Sequence, residues 1–247
     1  MHHFFVNPSQ ITEDKVMMKG SDVNHMKNVL RMNIGEEILI SDGQGADYVC
    51  QISAITSKEI EAEIIRTEKE GTELSVQIYL FQGLPKSDKM EWIIQKAVEL
   101  GVYQIVPMVT QRCIVKLDEK KEAAKRKRWQ SIAESAAKQS RRGMIPQIHS
   151  LVDFKQAVKM SEDFSGKWIP YENFKDMESA KKILEQMQPG DKIAVYIGPE
   201  GGFESWEVDY AMEHGIMPVS LGRRILRTET AGLMLLSVLM FQSELFS

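Results

Sequence analysis

Two loop segments near the C-terminus hold residue types suited to binding a polar or anionic ligand. The first, IGPEGGF at residues 197–203, follows a short apolar run and contains three glycines and a glutamate. The second, LGRRILRTETA at 221–231, follows another apolar run and contains three arginines. Glycines let a backbone approach a ligand closely, and arginines bind phosphates and carboxylates. Because α/β proteins place ligand sites in the loops that follow buried strands, the pair predicts a binding site.

The glycine spacing differs from that of the common nucleotide-binding motifs. No Gly-Lys-Ser/Thr follows the first loop, and the loop lacks a G-x-G-x-x-G pattern. Spacing alone therefore leaves IGPEGGF open between a ligand-binding loop and a tight strand-to-helix turn. The second loop also has two interpretations. Thr228 is the predicted N-cap of an apolar helix, and the first N–H groups of that helix could bind an anion, or the segment could be an ordinary capped helix after a surface loop.

Composition places the chain among ordinary globular proteins. It has 247 residues, 43% of them hydrophobic and 27% charged, which suits one large or two small domains. The two cysteines do not make a disulfide framework, the N-terminus lacks signal-peptide features, and the longest apolar run is too short to span a bilayer. These features predict a cytoplasmic protein with no membrane contact. The histidines and cysteines show no metal-ligand spacing, so no metal site is expected.

Positive charge is concentrated in one segment of an acidic chain. Residues 112–142 hold eleven Lys or Arg and four Asp or Glu, whereas the whole chain has a net charge of −4. Local positive charge of this kind favours a specific anionic partner over general coating of nucleic acid. A solvated helix face would produce the same run, and the charge pattern does not separate the two readings.

Two patterns of secondary structure divide the chain. Residues 1–72 contain short predicted strands at 37–42, 48–56 and 58–66 with glycine-rich turns, which indicates a small β-barrel. Residues 73–247 alternate strands and helices: strands at 74–82, 102–109 and 193–197, and helices at 88–100, 120–142 and 176–187. Such alternation predicts a mostly parallel sheet covered by helices, so the expected fold class is α/β with a boundary in the polar segment 67–73.

Four segments in order carry a family resemblance. They are residues 25–45, residues 84–102, the stretches 111–118 and 128–146, and the two loops together, GPEGGF followed by LGRRILRTETA. In this combination the chain resembles the bacterial 16S ribosomal RNA uridine N3-methyltransferases, the RsmE family of the SPOUT (α/β-knot) superfamily. The resemblance covers nearly the whole chain. It departs from the family pattern at Ser87, Val98, Cys113 and Glu204; the last leaves Ser205 as an alternative cap for the following helix.

The resemblance implies a fold, a cofactor and an assembly. It implies a PUA-like RNA-binding barrel in residues 1–72, a SPOUT methyltransferase domain with a trefoil knot in residues 73–247, and a homodimer. The implied cofactor is S-adenosylmethionine, held by the knot loops. The implied cofactor-binding residues are Leu80, Gln82, Gly83, Ile197, Gly198, Pro199, Gly201, Gly202, Leu221, Gly222, Ile225, Leu226, Arg227 and Thr230.

The resemblance also implies roles in catalysis and RNA binding. Methylation of uracil N3 requires loss of the N3 proton, so the anionic base must be favoured and aligned with the methyl group. Arg112 and Arg227 are the candidates to stabilise negative charge. Glu200 is a candidate proton acceptor, or else a carboxylate placed by the adjoining helix. The expected contacts to 16S rRNA in the small ribosomal subunit are His25, Lys27, Arg31, Arg128, Lys138, Arg141, Arg142, Arg223 and Arg224, with base stacking open to the tryptophans.

Two other functions remain open from the sequence. One is a SPOUT methyltransferase that acts on transfer RNA or on a ribose 2′-hydroxyl, which the combination of a barrel with RILRTETA disfavours. The other is a non-catalytic RNA-binding factor for ribosome assembly. The glycines and arginines retained in both loops argue against a non-catalytic factor.

Overall fold

The chain divides by its internal contacts into two compact units. A computed structural model describes residues 1–68, 71–172, 174, 181 and 184–246. The first unit is Met1–Glu73 together with Ala137–Ile145, and the second is Leu74–Ala136 with Pro146–Ser247. The inclusion of 137–145 in the first unit had no signal in the sequence. The boundary between residues 72 and 73, as a limit of independently folding domains, stays a prediction.

The first unit is built on one five-stranded sheet. Its strands are β1 (His2–Phe5), β2 (Lys15–Lys19), β3 (Glu37–Ser41), β4 (Asp47–Ile55) and β5 (Glu59–Glu68), in the order β1-β3-β4-β5-β2. β1 runs parallel to β3, and the other pairs are antiparallel. A short helix α1 (Ser21–Asn24) continues into a wider π-helical turn (His25–Val29), and a 3₁₀ turn spans Pro8–Gln10.

Alternation along β5 gives this sheet one buried face. Ile60 and Ala62 are fully buried in a core with Ile38, Ile40 and Met18, as the spacing predicts. Register shifts in β4 at Val49/Cys50 and Ile52/Ala54 are bulges, which bend and twist a strand. The curled, PUA-like sheet expected for the N-terminal part is therefore present.

The second unit is a parallel sheet with helices between its strands. The strands are β6 (Gln77–Gly83), β7 (Gln104–Val109), β8 (Gln147–Ile148), β9 (Val152–Asp153), β10 (Gly166–Pro170), β11 (Lys192–Ile197) and β12 (Met217–Val219). The helices are α2 (Lys89–Glu99), α3 (Glu119–Ser140), α4 (Phe154–Met160), α5 (Ser205–Glu213) and α6 (Thr228–Glu244). The predicted helix at 176–187 lies mostly outside the described residues.

The loops at residues 197–203 and 220–226 follow β11 and β12, which are separated in the sheet by one strand, β10. The order is β12-β10-β11-β6-β7-β8, with β9 also pairing with β7, and every pair is parallel. The predicted α/β class is confirmed. β11 lies beside β6 near the middle of the sheet. A central strand is covered on both faces, and this fits the sequence of β11, because the five residues Ile193–Ile197 form an apolar run and are all buried. The trefoil knot stays a prediction.

Local sequence signals set the ends of α2. Asp88 is its N-cap residue, although the Asp88 side chain forms no capping hydrogen bond. Gly101 follows the helix with φ of 84°, a left-handed conformation that favours glycine, and ends it as predicted. Among the described residues, no helix combines the length and apolar character that crossing a membrane requires.

Candidate active site

The two loops line one cavity at the carboxyl ends of the parallel strands. β11 ends at Ile197, and the loop after β12 begins at Ser220. The cavity has a volume of about 220 Å³. Its walls are residues 197–203, residues 220–226 with Thr228 and Ala231, Arg112 after β7, and residues 170–172 with Phe174 after β10. The convergence of loops that follow parallel strands puts a ligand site at this edge.

Glycines allow the loops to pass each other at backbone distance. A Cβ atom on Gly83 would lie 2.8 Å from the Pro199 nitrogen, and one on Gly198 would lie 2.9 Å from the Gly202 carbonyl carbon. Real Cβ atoms do not come that close to a backbone, so neither position accepts another residue without a shift of the loop. The IGPEGGF segment is thus more than a tight turn: it is packed against the end of β6 and folded on itself.

Thr228 joins three segments of the chain through hydrogen bonds of its side chain. Its buried hydroxyl donates to the Gly198 carbonyl at 2.6 Å and accepts from Gln82 Nε2 at 3.0 Å. The prediction of Thr228 as the N-cap of α6 is wrong, because Arg227 occupies that position and Thr228 is the first helical residue. The hydroxyl instead ties the end of β6, the loop after β11 and the start of α6.

A lysine links the glutamates of the two loops. Lys89 Nζ lies 3.0 Å from Glu200 Oε1 and 3.4 Å from Glu229 Oε2. Burial raises the pKa of Glu200, but hydrogen bonds from its own backbone N–H, from Lys89 and from the Lys86 backbone N–H lower it, and the net pKa lies below the usual value. A carboxylate with a lowered pKa is a weaker base. The geometry therefore favours Glu200 as an anchor of the loop over its predicted role as proton acceptor.

Arg112 is held at the cavity wall by a two-point ion pair. Its Nε donates to Glu204 Oε1 at 2.8 Å and its Nη2 donates to Glu204 Oε2 at 3.1 Å, while Nη1 donates to the Gly201 carbonyl at 2.7 Å. The hydrogen bond to Glu204 raises the pKa of Arg112 and lowers the pKa of Glu204. Both groups are therefore charged at neutral pH. Glu204 is also the N-cap residue of α5, so the alternative cap at Ser205 is wrong.

A buried carboxylate that the sequence predictions omitted organises this wall. Glu207 is fully buried, and it accepts hydrogen bonds from the backbone N–H of Gln111 at 2.9 Å and of Glu204 at 2.8 Å. It thus joins the segment carrying Arg112 to the segment carrying Glu204. The spacing Glu204-x-x-Glu207 is that of a capping box, which was the available sequence signal.

We expect Glu207→Gln to destabilise the protein by about 1–3 kcal/mol, because the amide NH2 would face one of the two buried N–H donors and leave it unsatisfied. Thermal or urea unfolding measures the change. Glu213→Gln, an exposed residue at the end of the same helix, is the matched control and should change stability by less than about 0.5 kcal/mol. Equal stability of the two variants would show that Glu207 does not hold the wall.

The structure brings nine of the residues expected to bind the cofactor to the cavity surface, and the other five lie outside the lining. The nine lining residues are Ile197, Gly198, Pro199, Gly201, Gly202, Leu221, Gly222, Ile225 and Leu226. Of the rest, Leu80 is fully buried between neighbouring strands, Gln82 and Gly83 support the loops from the end of β6, and Arg227 and Thr230 are exposed on the first turn of α6.

The lining offers unpaired backbone groups. Within the described part of the chain, the backbone N–H groups of Ile225 and Leu226 have no hydrogen-bond partner, and Ile225 is 85% exposed. Free N–H groups beside apolar side chains suit a ligand with a flat apolar ring and polar edges.

The residues predicted to bind RNA fall into three groups by exposure. His25, Lys27, Arg31 and Arg141 of the first unit are exposed, and Lys138 is half-buried with its Nζ 3.7 Å from Asp22 Oδ1. Arg142 differs from the prediction. It is 3% exposed and paired with Glu73, which leaves its guanidinium no free face for a phosphate.

In the second unit, the predicted RNA contacts keep solvent-facing guanidinium groups. Arg223 and Arg224 are exposed on the cavity rim. Arg128 is two-thirds exposed, although it pairs with Glu91 at 2.7 Å. Base stacking is excluded for Trp129 and Trp168, which are buried. No group of three or more His, Cys, Asp or Glu side chains in the described residues is arranged to hold a metal.

Comparisons with known proteins agree with this architecture. A family model described as an RNA methyltransferase domain matches residues 72–240, and one described as an RNA methyltransferase PUA domain matches residues 19–65. The chain is 36% identical to ribosomal RNA small subunit methyltransferase E of Bacillus subtilis over 99% of its length and 98% of the relative's. It is 33% identical to the protein of the same name from Mesomycoplasma hyopneumoniae, over 96% and 98% of the two chains.

A solved structure with a bound methyl donor is also similar to this chain. The crystal structure of a ribosomal RNA small subunit methyltransferase E from Neisseria gonorrhoeae, bound to S-adenosyl methionine, is 32% identical with a TM-score of 0.83, covering 98% of this chain and 97% of that one. The match in sequence and in fold spans both units. This chain belongs to the ribosomal RNA small subunit methyltransferase E family.

Proposed function

We propose that this protein methylates N3 of a uridine in 16S ribosomal RNA with S-adenosylmethionine as methyl donor. The observation that carries the proposal is the cavity formed by residues 197–203 and 220–226, in a chain whose relative was solved bound to that donor. The residues present fit the donor, because the cavity supplies unpaired N–H groups, apolar side chains and glycines that allow close backbone approach. Leu221, Ile225 and Leu226 would hold the adenine, and Gly198 and Gly201 would lie near the ribose and methionine.

S-adenosylmethionine supplies, when bound, a methyl group on a sulfonium, which needs no metal for activation. The chain's own task is to favour the uracil anion and align its N3. The new N–CH3 bond forms as the S–CH3 bond breaks, and the N3 proton leaves to a base. Arg112 stands at the cavity wall with a fixed orientation, and its positive charge would stabilise negative charge on a uracil oxygen. Arg227, exposed and adjacent to the cavity, is the second candidate.

Glu200 lines the cavity, but its contacts do not suit a proton acceptor. Its lowered pKa and its bonds to Lys89 and the Lys86 N–H argue that water or an RNA group accepts the proton instead. The RNA is positioned by exposed polar and basic side chains, since phosphate contacts fix register without reading bases. They are His25, Lys27, Arg31 and Arg141 of the first unit and Arg128, Arg223 and Arg224 of the second. A substrate of ribosomal RNA supports a cytoplasmic location.

Methyl transfer to purified small ribosomal subunits that lack the modification tests the proposal. We expect label from S-adenosylmethionine to enter 16S rRNA and to be recovered, after digestion to nucleosides, as 3-methyluridine. Recovery of a ribose-methylated nucleoside would show that the target atom is a ribose oxygen, and labelling of transfer RNA alone would show that the substrate is transfer RNA. Failure to bind S-adenosylmethionine in a calorimetric titration would favour the non-catalytic assembly factor.

We further propose that two copies associate through α6. Met234 and Phe241 are exposed on one face of this helix, and Leu245 continues the stripe just past its end; Phe241 is 66% and Leu245 63% exposed. An apolar stripe at spacings of seven and four residues is one helix face, and an uncovered stripe of this kind marks an interface. A homodimer covers the same stripe on both copies.

We expect Phe241→Asp to shift the protein from dimer to monomer, because a buried unpaired carboxylate opposes association. Light scattering after size-exclusion chromatography, at several concentrations, measures the mass. Glu244→Asp, which lies on the exposed end of the same helix and keeps its charge, is the control. A Phe241→Asp variant that stays dimeric would place the interface elsewhere.

A further inference from the structure

A second, shallower depression lies on the face of the second unit beside the cavity. It has a volume of about 340 Å³ and is open to solvent. Three segments form it: the residues after β7, the start of α4, and the first turn of α5. We call it the Trp206 hollow; its lining includes Val109, Gln111, Lys116, Phe154, Lys155 and Trp206.

Trp206 gives the hollow an aromatic surface. The side chain is 45% exposed, which is unusual for so large an apolar group. Its ring meets the ring of buried Phe154 at an interplanar angle of 86° and a centroid distance of 6.3 Å. Phe154 therefore fixes the orientation of the indole from beneath, while the exposed part of the indole faces solvent. A fixed, exposed aromatic ring is the usual platform on which an unstacked base binds.

The charges around the hollow suit a phosphate backbone. Lys116 and Lys155 line it, and in the described part of the chain neither lies within ion-pair distance of a carboxylate. Lys155 Nζ lies 5.3 Å from the centre of the Tyr210 ring, a cation–π contact. The one carboxylate, Asp153, accepts a hydrogen bond from the Gln156 N–H at 2.8 Å as the cap of α4. The free charge is therefore positive.

The hollow and the cavity share a wall. Gln111 lines the hollow and its neighbour Arg112 lines the cavity; Phe203 lines the cavity and Trp206, three residues later, lines the hollow. The Glu207 carboxylate binds the Gln111 segment to the Glu204 segment, so the wall is fixed. A ligand that occupies both sites must run across this wall with one flat group on each side.

We propose that the Trp206 hollow binds a nucleotide that flanks the target uridine, with its base stacked on Trp206 and its phosphate facing Lys116 and Lys155. This inference rests on the proposed function, because it requires single-stranded RNA at the cavity. It adds a subsite: the extruded uridine enters the cavity, and the neighbouring base is retained outside it. Stacking tolerates any base, so the subsite holds the strand in register without reading its sequence.

Binding of single-stranded RNA tests the subsite directly. The probe is a fluorescently labelled oligouridylate of about eight nucleotides, in the presence of S-adenosylhomocysteine. We expect Trp206→Ala to raise the Kd of this probe about tenfold and Trp206→Phe to restore most of the affinity, because a phenyl ring also stacks. Met212→Ala, another exposed apolar residue of α5, is the matched control and should leave the Kd unchanged.

Turnover on small ribosomal subunits gives a second readout. Trp206→Ala should raise KM for the subunit by a similar factor, while kcat and the affinity for S-adenosylmethionine keep their wild-type values. An unchanged Kd and KM in an active protein would overturn the subsite and leave the proposed function intact. Loss of binding to intact subunits with normal binding of free RNA would also overturn it, and would indicate a ribosomal protein in the hollow. A wild-type protein without methyl transfer would instead defeat the proposed function.

Alkylation of Cys113 provides a test that reports occupancy of the hollow in the wild-type protein. Cys113 lines the hollow and is half-buried as a residue, whereas Cys50, the other cysteine, is buried. We expect bound oligouridylate to slow alkylation of Cys113 by a maleimide, and Trp206→Ala to remove that protection. Equal alkylation rates with and without saturating RNA would contradict occupancy of the hollow.

Discussion

Gly198→Ala should abolish binding of S-adenosylmethionine at concentrations that saturate the wild-type protein. The added Cβ would lie 2.9 Å from the Gly202 carbonyl carbon and 3.0 Å from its Cα. The neighbouring atoms are backbone, so the loop must move to relieve the clash. That movement also displaces the Gly198 carbonyl, which accepts the Thr228 hydroxyl at 2.6 Å and so couples this loop to α6. Since displacement of a site by about 1 Å costs roughly 100-fold, we expect at least that loss in kcat/KM.

Calorimetric titration and thermal unfolding together separate loss of the site from loss of the fold. Gly166→Ala is the matched control, because its Cβ would meet Ile193 and Trp168 side-chain atoms at 3.5 Å, an ordinary contact. We expect this control to bind the donor normally. Wild-type affinity in Gly198→Ala would show that the donor binds away from the two loops.

Arg227→Ala should fold normally and lose about 100- to 1000-fold in kcat, the cost of removing one group that stabilises charge in a transition state. Arg227 is the N-cap residue of α6 and is exposed. Among the described residues, its one hydrogen bond is made by its backbone carbonyl, which accepts from the Ala231 N–H at 2.8 Å. Truncation of an exposed side chain removes little packing, so the free energy of unfolding should change by less than about 0.5 kcal/mol.

Single-turnover methylation of small subunits, with donor and RNA both saturating, isolates this chemical step from binding. Arg227→Lys retains the charge and should recover part of the rate, although a lysine cannot donate two parallel hydrogen bonds. A wild-type rate in Arg227→Ala would remove the residue from the chemistry. A higher KM with an unchanged kcat would indicate that Arg227 contacts the RNA, the role proposed for its neighbours Arg223 and Arg224.

The two predictions differ in what the sequence could supply. The glycines of IGPEGGF are visible as a loop of unusual composition, but the atoms that exclude a side chain at Gly198 belong to the folded loop itself. The glycine at position 83 is less visible still, because it ends an ordinary strand and its obstacle, Pro199, lies more than a hundred residues away. The sequence already places Arg227 next to the start of the last helix, and the structure identifies it as the N-cap residue of that helix.

Other residues were misjudged because their partners are distant in the chain. Arg142 sits in a basic run and was expected to bind RNA, but Glu73 pairs with it in the first unit. Thr228 is a residue type that often caps helices, but its hydroxyl accepts a hydrogen bond from Gln82 and donates one to the Gly198 carbonyl. Glu204 appeared as a doubtful cap and is the partner of Arg112. In each case the deciding contact joins residues that are far apart in the chain.

The sequence by itself determined the class of the fold, the alternation of strands and helices, and the two loops that form the cavity, since periodicity, turn residues and loop composition act over a few residues. Only the tertiary structure decided which loop residues face the cavity, which lie behind it, and which carboxylates hold the arginines. Those facts depend on the order of strands in the sheet, which brings Glu207 to the Gln111 backbone and Lys89 to Glu200. Long-range pairing of this kind has no periodicity along a chain.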